Sequence, residues 1–356
     1  MSMISHYDLV EMVRSRVRSI HYSHSTEQTY CYWNSRYYRF CLGLPRDLAS
    51  EKKAEAFLSS LAIHTRVSAR TQNQAFAAIL FLYKEVLHRP LCKVDALRAK
   101  NYRHERTSPS REQVQALRQA VEDTPNTPGR LLVDLLYGCG LRVSEPLELR
   151  IKDILWEENH IVVRAAKGSK DRRVPIPRSL VEPLRAQVAR AIKVWEEDRK
   201  NFPEVGVTLP HRLDKKYPTA PFSDQWFWVF PAPSHCKDPY TGKIVRYHLL
   251  HDSLQRVVRE AAKRVGLQDL ITPHVLRHGF ATHSRESIET LKELMGHNSI
   301  VTTSGYRHAV VDKATNPLDD LVSQPQSYPG NGQIQKPSEG RGPPCAAKAS
   351  AQRQAA

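Results

Sequence analysis

The sequence predicts a mainly α fold with a small antiparallel β-sheet, an α+β arrangement of two domains followed by a tail. Three observations support this prediction. Apolar residues recur at spacings of three and four along most of the chain, as they do on amphipathic helices. β-Branched and alternating residues concentrate in one stretch, at 151–177. The chain has 356 residues, which exceeds the usual size of a single domain.

The first predicted domain occupies residues 1–99 and consists of helices throughout. Amphipathic patterns favour helices at 54–63 and 68–87 in particular. Arginines lie beside aromatic residues on these helices, Arg66 and Arg70 among them, and such a surface can bind a nucleic-acid backbone. For any single arginine, an ordinary solvated position is the plainer interpretation.

The second predicted domain spans 110–323 and follows a polar, basic linker at 100–109. It begins with a capping-box pattern, in which Gln113 follows Ser110 at a distance of three residues. The tail at 324–356 is rich in Pro, Gly, Gln, Ser and Ala, so it cannot bury enough apolar surface to fold.

A small antiparallel sheet is predicted from strands at 151–156, 160–165 and 173–177. The turn between the second and third strands contains glycine and presents Lys167 at its tip. The stretch at 201–247 is rich in proline, and we expect it to be irregular.

The charge balance indicates a polyanionic partner. The 53 lysines and arginines exceed the 37 aspartates and glutamates, which gives a net charge of +16 spread along the chain. The plainer alternative is a basic protein without such a partner. The six cysteines contain no CxxC pair and no HExxH motif occurs, so we expect neither disulfides nor a metal or other cofactor.

The N-terminal residues and the hydropathy pattern bear on location. The first turns carry charged residues and lack the uninterrupted apolar centre of a signal peptide. No apolar run approaches the length that spans a bilayer. We therefore expect a soluble, cytoplasmic protein with no membrane partner.

The most informative stretch starts at Thr272, an N-cap residue followed by proline at the first helical position. His274 and Arg277 lie three residues apart on one helix face, where the free N–H groups of the helix start favour an anion. A second helical run at 289–295 stops at Gly296, a residue that accepts a left-handed backbone.

Attack of a phenol on a phosphodiester suits the residues around this stretch. Tyr306 is the candidate nucleophile and would form a covalent phosphotyrosine. Lys167 can protonate the departing 5′ oxygen, with Lys170 as its rival for that role.

Four further residues can handle the phosphate. Arg142 and Arg277 can make forked hydrogen bonds to its oxygens. His274 and His297 can orient it or move protons near neutral pH. Glu145 is expected to orient Arg142. Each of these residues alone is weak evidence for a function. Their joint order along the chain supports the interpretation as a site that cleaves a phosphodiester.

Five stretches resemble the catalytic blocks of the tyrosine recombinase (phage integrase) family. They are LLYGCGLRVSE, KGSKDR, HVLRHGFATH, LMGHNSIVTT and the final tyrosine. The resemblance covers roughly residues 7–321. An added segment at about 210–250, with WFWVFP and DPYTGKIVRYHLLHDS, is similar to the one found in integron integrases, a subgroup of the family. The N-terminal TQNQAFAAILFLYKEVL resembles that subgroup as well.

The resemblance implies a helical core-binding (SAM-like) domain and a catalytic domain that form a C-shaped clamp around DNA. It implies cleavage and rejoining through a 3′-phosphotyrosine, without metal or ATP, in a homotetramer that integrates and excises gene cassettes. The implied catalytic residues are Arg142, Lys167, His274, Arg277, His297 and Tyr306.

In integron integrases the added segment helps to recognise bases flipped out of a folded single-stranded site. The matching residues here are Trp226, Trp228, Tyr247 and His248, and stacking of aromatic rings on splayed bases is physically reasonable. Packing of each tryptophan in a hydrophobic core is an equally open alternative.

Two departures from the family pattern leave alternatives open. Only the residues 284–295 separate His283 from Gly296, fewer than usual, and Ser304 with Gly305 replaces a bulkier pair before the tyrosine. The alternatives are a DNA-binding member with impaired catalysis and a general phage-type or Xer-type recombinase that does not need the added segment.

Overall fold

The computed structural model describes residues 4–96, 108–166, 170–210 and 213–296. The chain divides into two compact units, Met1–Arg106 and Thr107–Ala356. Both units are mainly helical and the second carries small antiparallel sheets, which confirms the predicted α+β class. Among the helices in the described ranges, none is both long and apolar enough to cross a membrane.

The described part of the first unit, residues 4–96, contains a bundle of four α-helices followed by a π-helical turn at Leu82–Val86. The helices are α1 (His6–Ser19), α2 (His24–Cys41), α3 (Ser50–Ile63) and α4 (Ala69–Phe81). The predicted helices at 54–63 and 68–87 are thereby confirmed, with the last turn of the second in π geometry.

Apolar and aromatic side chains fill the centre of this bundle. The hydroxyls of Tyr37 and Tyr83 hydrogen-bond each other at 2.9 Å, so each satisfies the other's buried polar atom. Ser23 and Ser68 cap α2 and α4 by accepting from backbone N–H groups three residues later. Arg66 and Arg70 are exposed at the surface of this unit.

The second unit begins with three helices around an apolar centre. They are α5 (Arg111–Ala120), α6 (Gly129–Gly138) and α7 (Ser144–Leu147). The capping box predicted at Ser110 and Gln113 is present in both halves. Apart from Arg130, the residues of α6 are buried, and the carboxylate of Asp134 within the helix pairs with the buried guanidinium of Arg118.

The three-stranded sheet has the order β1–β2–β3, all antiparallel. Its strands are β1 (Ile154–Leu155), β2 (His160–Ala166) and β3 (Lys170–Pro175). The prediction of a first strand at 151–156 was wrong in extent, because residues Ile151–Asp153 form a 3₁₀ turn. The third strand begins three residues earlier than predicted, directly after the turn.

The stretch at 201–247 contains regular structure, so the prediction of an irregular segment was wrong. β4 (Pro231–Lys237) and β5 (Ile244–His248) form an antiparallel hairpin. The pairing shifts register between Pro231 and His235. Proline has no N–H for the ladder, so the sequence signal of β4 is interrupted although the strand forms.

Five further helices follow in the part of the second unit that the structure describes. They are α8 (Arg178–Asn201), α9 (Leu213–Lys216), α10 (His251–Arg264) and α11 (Pro273–His283), with α12 (Ile288–Met295) following as the last described element. Buried residues of α5, α6, α10 and α11 form one continuous core with the three-stranded sheet.

A left-handed glycine forms the sharp exit from α6. Gly140 has a φ of 60°, which side chains disfavour. A Cβ at this position would overlap the ring of Phe280 on α11. The tight turn therefore lets α11 pack closely and leads the chain directly into Arg142.

Candidate active site

Arg142 and Glu145 form the local foundation of the site. Arg142 follows the turn at Gly140, and Glu145 lies in the first turn of α7. The backbone N–H of Arg142 donates to Oε2 of Glu145 at 2.7 Å, and its Nη1 donates to Oε1 at 2.7 Å. Glu145 thus contacts Arg142 through both carboxylate oxygens, and its role in orienting that arginine stays a prediction.

Two more guanidinium groups reach the same carboxylate from distant parts of the chain. Arg172 on β3 donates from Nη1 to Oε1 of Glu145 at 2.9 Å and from Nη2 to Oε2 at 2.6 Å. Nη1 of Arg277 on α11 lies 3.8 Å from Oε2. The side chain of Glu145 is 7% exposed, so three cations surround one buried anion.

The pKa of Glu145 reflects this surrounding. Burial by itself raises the pKa of the carboxyl, but the hydrogen bonds and charge of Arg172, the N–H of Arg142 and the charge of Arg277 outweigh it. Together they lower the pKa of Glu145 from 4.5 to about 2. The carboxylate therefore stays ionised throughout the physiological pH range.

The same three arginines also bind the C-terminal end of α12. Helix ends leave their last carbonyl groups without intrahelical partners, and their partial negative charge favours cations. Three consecutive carbonyls each accept from a different guanidinium: Leu294 from Nε of Arg172 at 2.6 Å, Met295 from Nη2 of Arg277 at 2.5 Å, and Gly296 from Nη2 of Arg142 at 2.7 Å.

The short link between α11 and α12 is compatible with these contacts. Ser284 ends α11, and the hydroxyl of Ser287 caps α12 by accepting from the N–H of Thr290 at 3.1 Å. α12 then ends at Gly296 with a φ of 61°, the left-handed stop predicted from the sequence. Within this geometry Arg277 still reaches the end of α12.

α11 carries the two residues of the HxxR pattern. Thr272 caps the helix and Pro273 occupies its first turn, as predicted. Arg277 is 2% exposed and also donates from Nη1 to the carbonyl of Gly140 at 2.5 Å. His274 is exposed, and its ring meets the buried ring of His278 edge-on, with 4.4 Å between the centroids.

Three of the proposed catalytic residues, Lys167, His297 and Tyr306, lie outside the described residues. Their neighbours in sequence lie at known places. β2 ends at Ala166 and β3 begins at Lys170, on either side of residues 167–169. Gly296 directly precedes His297 in the sequence.

Two of the four aromatic residues singled out in the added segment are buried. Trp228 is 5% exposed and donates from Nε1 to the carbonyl of Arg246 at 3.1 Å. The guanidinium carbon of Arg150 lies 3.7 Å from its ring centroid. His248 is buried as well, and this burial lowers its pKa to about 4. The observed contacts of Trp228 and His248 are those of residues packed in a core. That either residue contacts a DNA base stays a prediction.

The other two aromatic residues keep part of their surface accessible. Trp226 is half-buried, and Nζ of Lys152 lies 3.5 Å from its ring centroid. Tyr247 is half-buried and its ring lies 4.1 Å from that of His248. An aromatic ring with a cation beside it is a suitable surface for a nucleic-acid base.

A buried carboxylate fastens the hairpin of the added segment. Asp198, near the end of α8, accepts from Nε of Arg246 at 2.8 Å and from its Nη2 at 2.5 Å. Nε2 of His235 lies 2.9 Å from the same carboxylate. Because Arg246 belongs to β5 and His235 to β4, both strands are tied to one helix.

Arg172 is the site residue that the sequence interpretation missed. The available signal was the alternation of β3, in which Arg172 shares a face with the buried Val174. Placing the start of the strand at residue 173 removed Arg172 from this pattern. Within the described ranges, no group of three His, Cys, Asp or Glu side chains could hold a metal ion.

Family models match both units of the chain. The model of the phage integrase family matches residues 110–312, and that of the phage integrase N-terminal SAM-like domain matches residues 9–93. An integrase/recombinase of Escherichia coli is 39% identical over 316 residues, covering 85% of this chain and 89% of that protein. The tyrosine recombinase XerA of Thermococcus onnurineus (strain NA1) is 32% identical over 206 residues, covering 57% of this chain and 58% of that protein.

Solved structures show a similar fold. A lambda integrase tetramer bound to a Holliday junction matches with a TM-score of 0.56 and 18% identity, covering 85% of this chain and 77% of that one. The XerH recombinase bound to a palindromic difH substrate matches with a TM-score of 0.54 and 20% identity, covering 85% of this chain and 80% of that one. At these identities the likeness concerns the fold.

Because Glu145 binds three arginines, we expect its replacement to lower the free energy of unfolding by an amount that depends on pH. The pKa of Glu145 in the folded chain lies below the ordinary 4.5. Its contribution to the free energy of unfolding is therefore complete above pH 4.5 and is lost as the pH falls through about 2. Glu145→Gln should lower the free energy of unfolding at pH 7 by roughly 3 kcal/mol. Urea unfolding of the full chain, followed by tryptophan fluorescence, measures this difference, which should shrink as the pH approaches 2.

Glu182→Gln is the matched control for this measurement. Its side chain is 85% exposed and its oxygen lies 3.7 Å from Arg185. We expect a change within about 0.5 kcal/mol, since exposed pairs contribute little. Equal losses in the two variants, or a loss at Glu145 that does not vary with pH, would contradict the proposed role of the buried carboxylate.

Proposed function

This chain belongs to the phage integrase family and is a site-specific tyrosine recombinase, and on that premise we propose that it is an integron-type integrase. It integrates and excises gene cassettes by acting on duplex sites and on folded single-stranded sites. In this proposal residues 1–99 form the core-binding domain and residues 110–323 the catalytic domain. A general phage-type or Xer-type recombinase would use the same chemistry but gives no role to the segment at 210–250.

Cleavage proceeds by transfer of the phosphate to Tyr306. The phenol oxygen bonds to the scissile phosphorus, the bond to the 5′ oxygen breaks, and Lys167 gives that oxygen a proton. The phenolic proton passes to a neighbouring base, for which His274 and His297 are the candidates. The resulting 3′-phosphotyrosine retains the bond energy, so a 5′-hydroxyl of a partner strand can reverse the steps and reseal the DNA.

The observation that carries this proposal is the convergence of Arg142 and Arg277 on one carboxylate and one helix end. The planar fork of each arginine suits two oxygens of one phosphate. Two guanidinium groups held in place before substrate arrives can stabilise the negative charge that develops on the non-bridging oxygens. The reaction class therefore follows from the site, and the nucleophile follows from the family motif.

The integron assignment rests on the added segment. We assign base contact first to Trp226 and Tyr247, because each retains accessible ring surface. Trp228 and His248 serve as the support beneath them, since both are buried. Stacking on bases needs no hydrogen-bond readout, so this surface suits extrahelical bases of varied sequence.

The assembly on DNA follows from the chemistry of strand exchange. Joining two sites requires a cleaving subunit for each strand, so we extend the proposal to a homotetramer. The lambda integrase structure that shares this fold is a tetramer bound to a Holliday junction. In the N-terminal unit, Arg66 and Arg70 are exposed and are assigned to the DNA backbone.

Covalent trapping on nicked DNA tests the proposed reaction. A library of nicked duplexes with a randomised core loses the 5′ leaving fragment after cleavage, so the 3′-phosphotyrosine adduct accumulates. The wild-type chain should form an adduct that survives denaturing electrophoresis, and sequencing its DNA identifies the site. Tyr306→Phe should form none, because the variant lacks the attacking oxygen.

Tyr7→Phe provides the control, since this tyrosine is exposed and lies outside both the five catalytic blocks and the added segment. It should form adduct at the wild-type rate. An adduct that persists in Tyr306→Phe would show that another residue is the nucleophile. Tight binding that weakens with salt, but without any adduct in the wild type, would favour the DNA-binding member with impaired catalysis.

The role of the added segment can be tested with two forms of the recovered site. Trp226→Ala should slow adduct formation on the folded single strand by roughly tenfold or more, because stacking contributes about 1–3 kcal/mol per base. The same variant should cleave the fully duplex site at the wild-type rate. Single-turnover rates on both substrates measure the difference.

Trp156→Ala is matched to this variant. Trp156 is also half-buried beside a cation, with the guanidinium carbon of Arg185 4.4 Å from its ring centroid, but it lies outside the added segment. It should not distinguish the two substrates. If Trp226→Ala slows both forms equally, the general phage-type or Xer-type function would be the better description.

A further inference from the structure

Arg172 occupies an inward-facing position on β3. Side chains alternate along a strand, and Arg172 shares its face with Val174, which is almost completely buried. The side chain of Arg172 is 8% exposed, whereas that of its neighbour Arg173 is 61% exposed and pairs with Glu158. The strand thus directs one arginine to the interior and the next to solvent.

Every nitrogen of the Arg172 guanidinium donates a hydrogen bond within the protein. Nη1 and Nη2 bind the two oxygens of Glu145 in a bidentate pair, and Nε binds the carbonyl of Leu294. Arg142 and Arg277 instead reach Glu145 from the turn after α6 and from α11. Arg142 and Arg277 also donate to carbonyl oxygens of the protein. Arg172 differs from them because both ends of its fork bind the carboxylate of Glu145.

The first contribution of Arg172 is charge balance. The carboxylate of Glu145 lies 2.7 Å from Nη1 of Arg142 and 3.8 Å from Nη1 of Arg277. At these distances the negative charge of Glu145 would offset one of the two positive charges that Arg142 and Arg277 present to a phosphate. Arg172 supplies a third guanidinium, so the four groups together carry a net charge of two positive units.

The second contribution is the fixation of α12. The side chain of Arg172 lies against the helix stop, because a Cβ at Gly296 would be 3.2 Å from both its Cδ and its Nη1. Its Nε holds the carbonyl of Leu294 at 2.6 Å. His297 follows Gly296 directly in the sequence.

We propose that Arg172 is a positioning residue for DNA cleavage, which neutralises Glu145 and holds the end of α12 so that Arg142 and Arg277 face the phosphate as a pair of cations. This inference rests on the proposed function. Lysine at this position keeps the charge, but its single nitrogen cannot reproduce the fork on Glu145 together with the bond to Leu294. Glutamine removes the charge as well.

Single-turnover cleavage of the nicked duplex separates these contributions. Arg172→Gln should slow adduct formation by about 100-fold, because loss of a charge and a shift of the site act together. Arg172→Lys should fold like the wild type and restore part of this loss, leaving the rate roughly tenfold slow. The dissociation constant for intact duplex, measured by fluorescence anisotropy, should change by less than about twofold, since most binding comes from other phosphate contacts.

Arg173→Gln and Arg173→Lys are the matched controls on the opposite face of β3, and both should cleave at the wild-type rate. The inference is overturned if Arg172→Lys cleaves like the wild type, or if duplex binding weakens in parallel with the rate. Should Arg172→Gln fail to fold, the rate and affinity of Arg172→Lys decide alone. Absence of adduct in the wild type refutes the proposed function itself, which distinguishes that failure from a failure of this inference.

Discussion

The ion cluster around Glu145 is the constraint on which the site depends. One buried carboxylate gathers guanidinium groups from the turn after α6, from β3 and from α11. Buried ion pairs contribute little net stability compared with apolar packing, because desolvation offsets their attraction. Their value here is geometric: the carboxylate defines one point where three elements that are distant in sequence must meet.

The second anchor of the cluster is the C-terminal end of α12. Its last carbonyls would otherwise lack partners, and each accepts from one of the three arginines. The left-handed Gly296 ends α12 and directly precedes His297 in the sequence. The same contacts therefore hold Arg142 and Arg277 together with the end of α12.

Local patterns allowed correct prediction where the partners are near in sequence. The capping box at Ser110, the helix start at Thr272 and the stop at Gly296 depend on neighbours within a few residues, and all three are present. The pairing of Arg142 with Glu145 is likewise local. Arg172 was missed because its partners come from α7 and α12, which no spacing in the sequence connects to β3.

The added segment shows a second limit of sequence interpretation. The hairpin of β4 and β5 was not predicted, because its prolines interrupt the strand pattern. The contacts of Arg246 and His235 with Asp198 also join residues that are distant in the sequence. The sequence also gave no reason to distinguish Trp226 from Trp228, and both were predicted to contact bases. Their burial differs because Trp228 packs in the core beneath Arg150, whereas Trp226 stays half-buried beside it.

The most direct measurement of the central claim is the ionisation of Glu145 itself. In the full chain labelled with ¹³Cδ-glutamate, the resonance absent from the Glu145→Gln variant reports this one carboxyl. Since its pKa is lowered to about 2, the resonance should keep the chemical shift of a carboxylate down to the lowest pH at which the chain remains folded. A midpoint at or above the ordinary 4.5 would contradict the account, because the three guanidinium groups would then not be acting on that carboxylate.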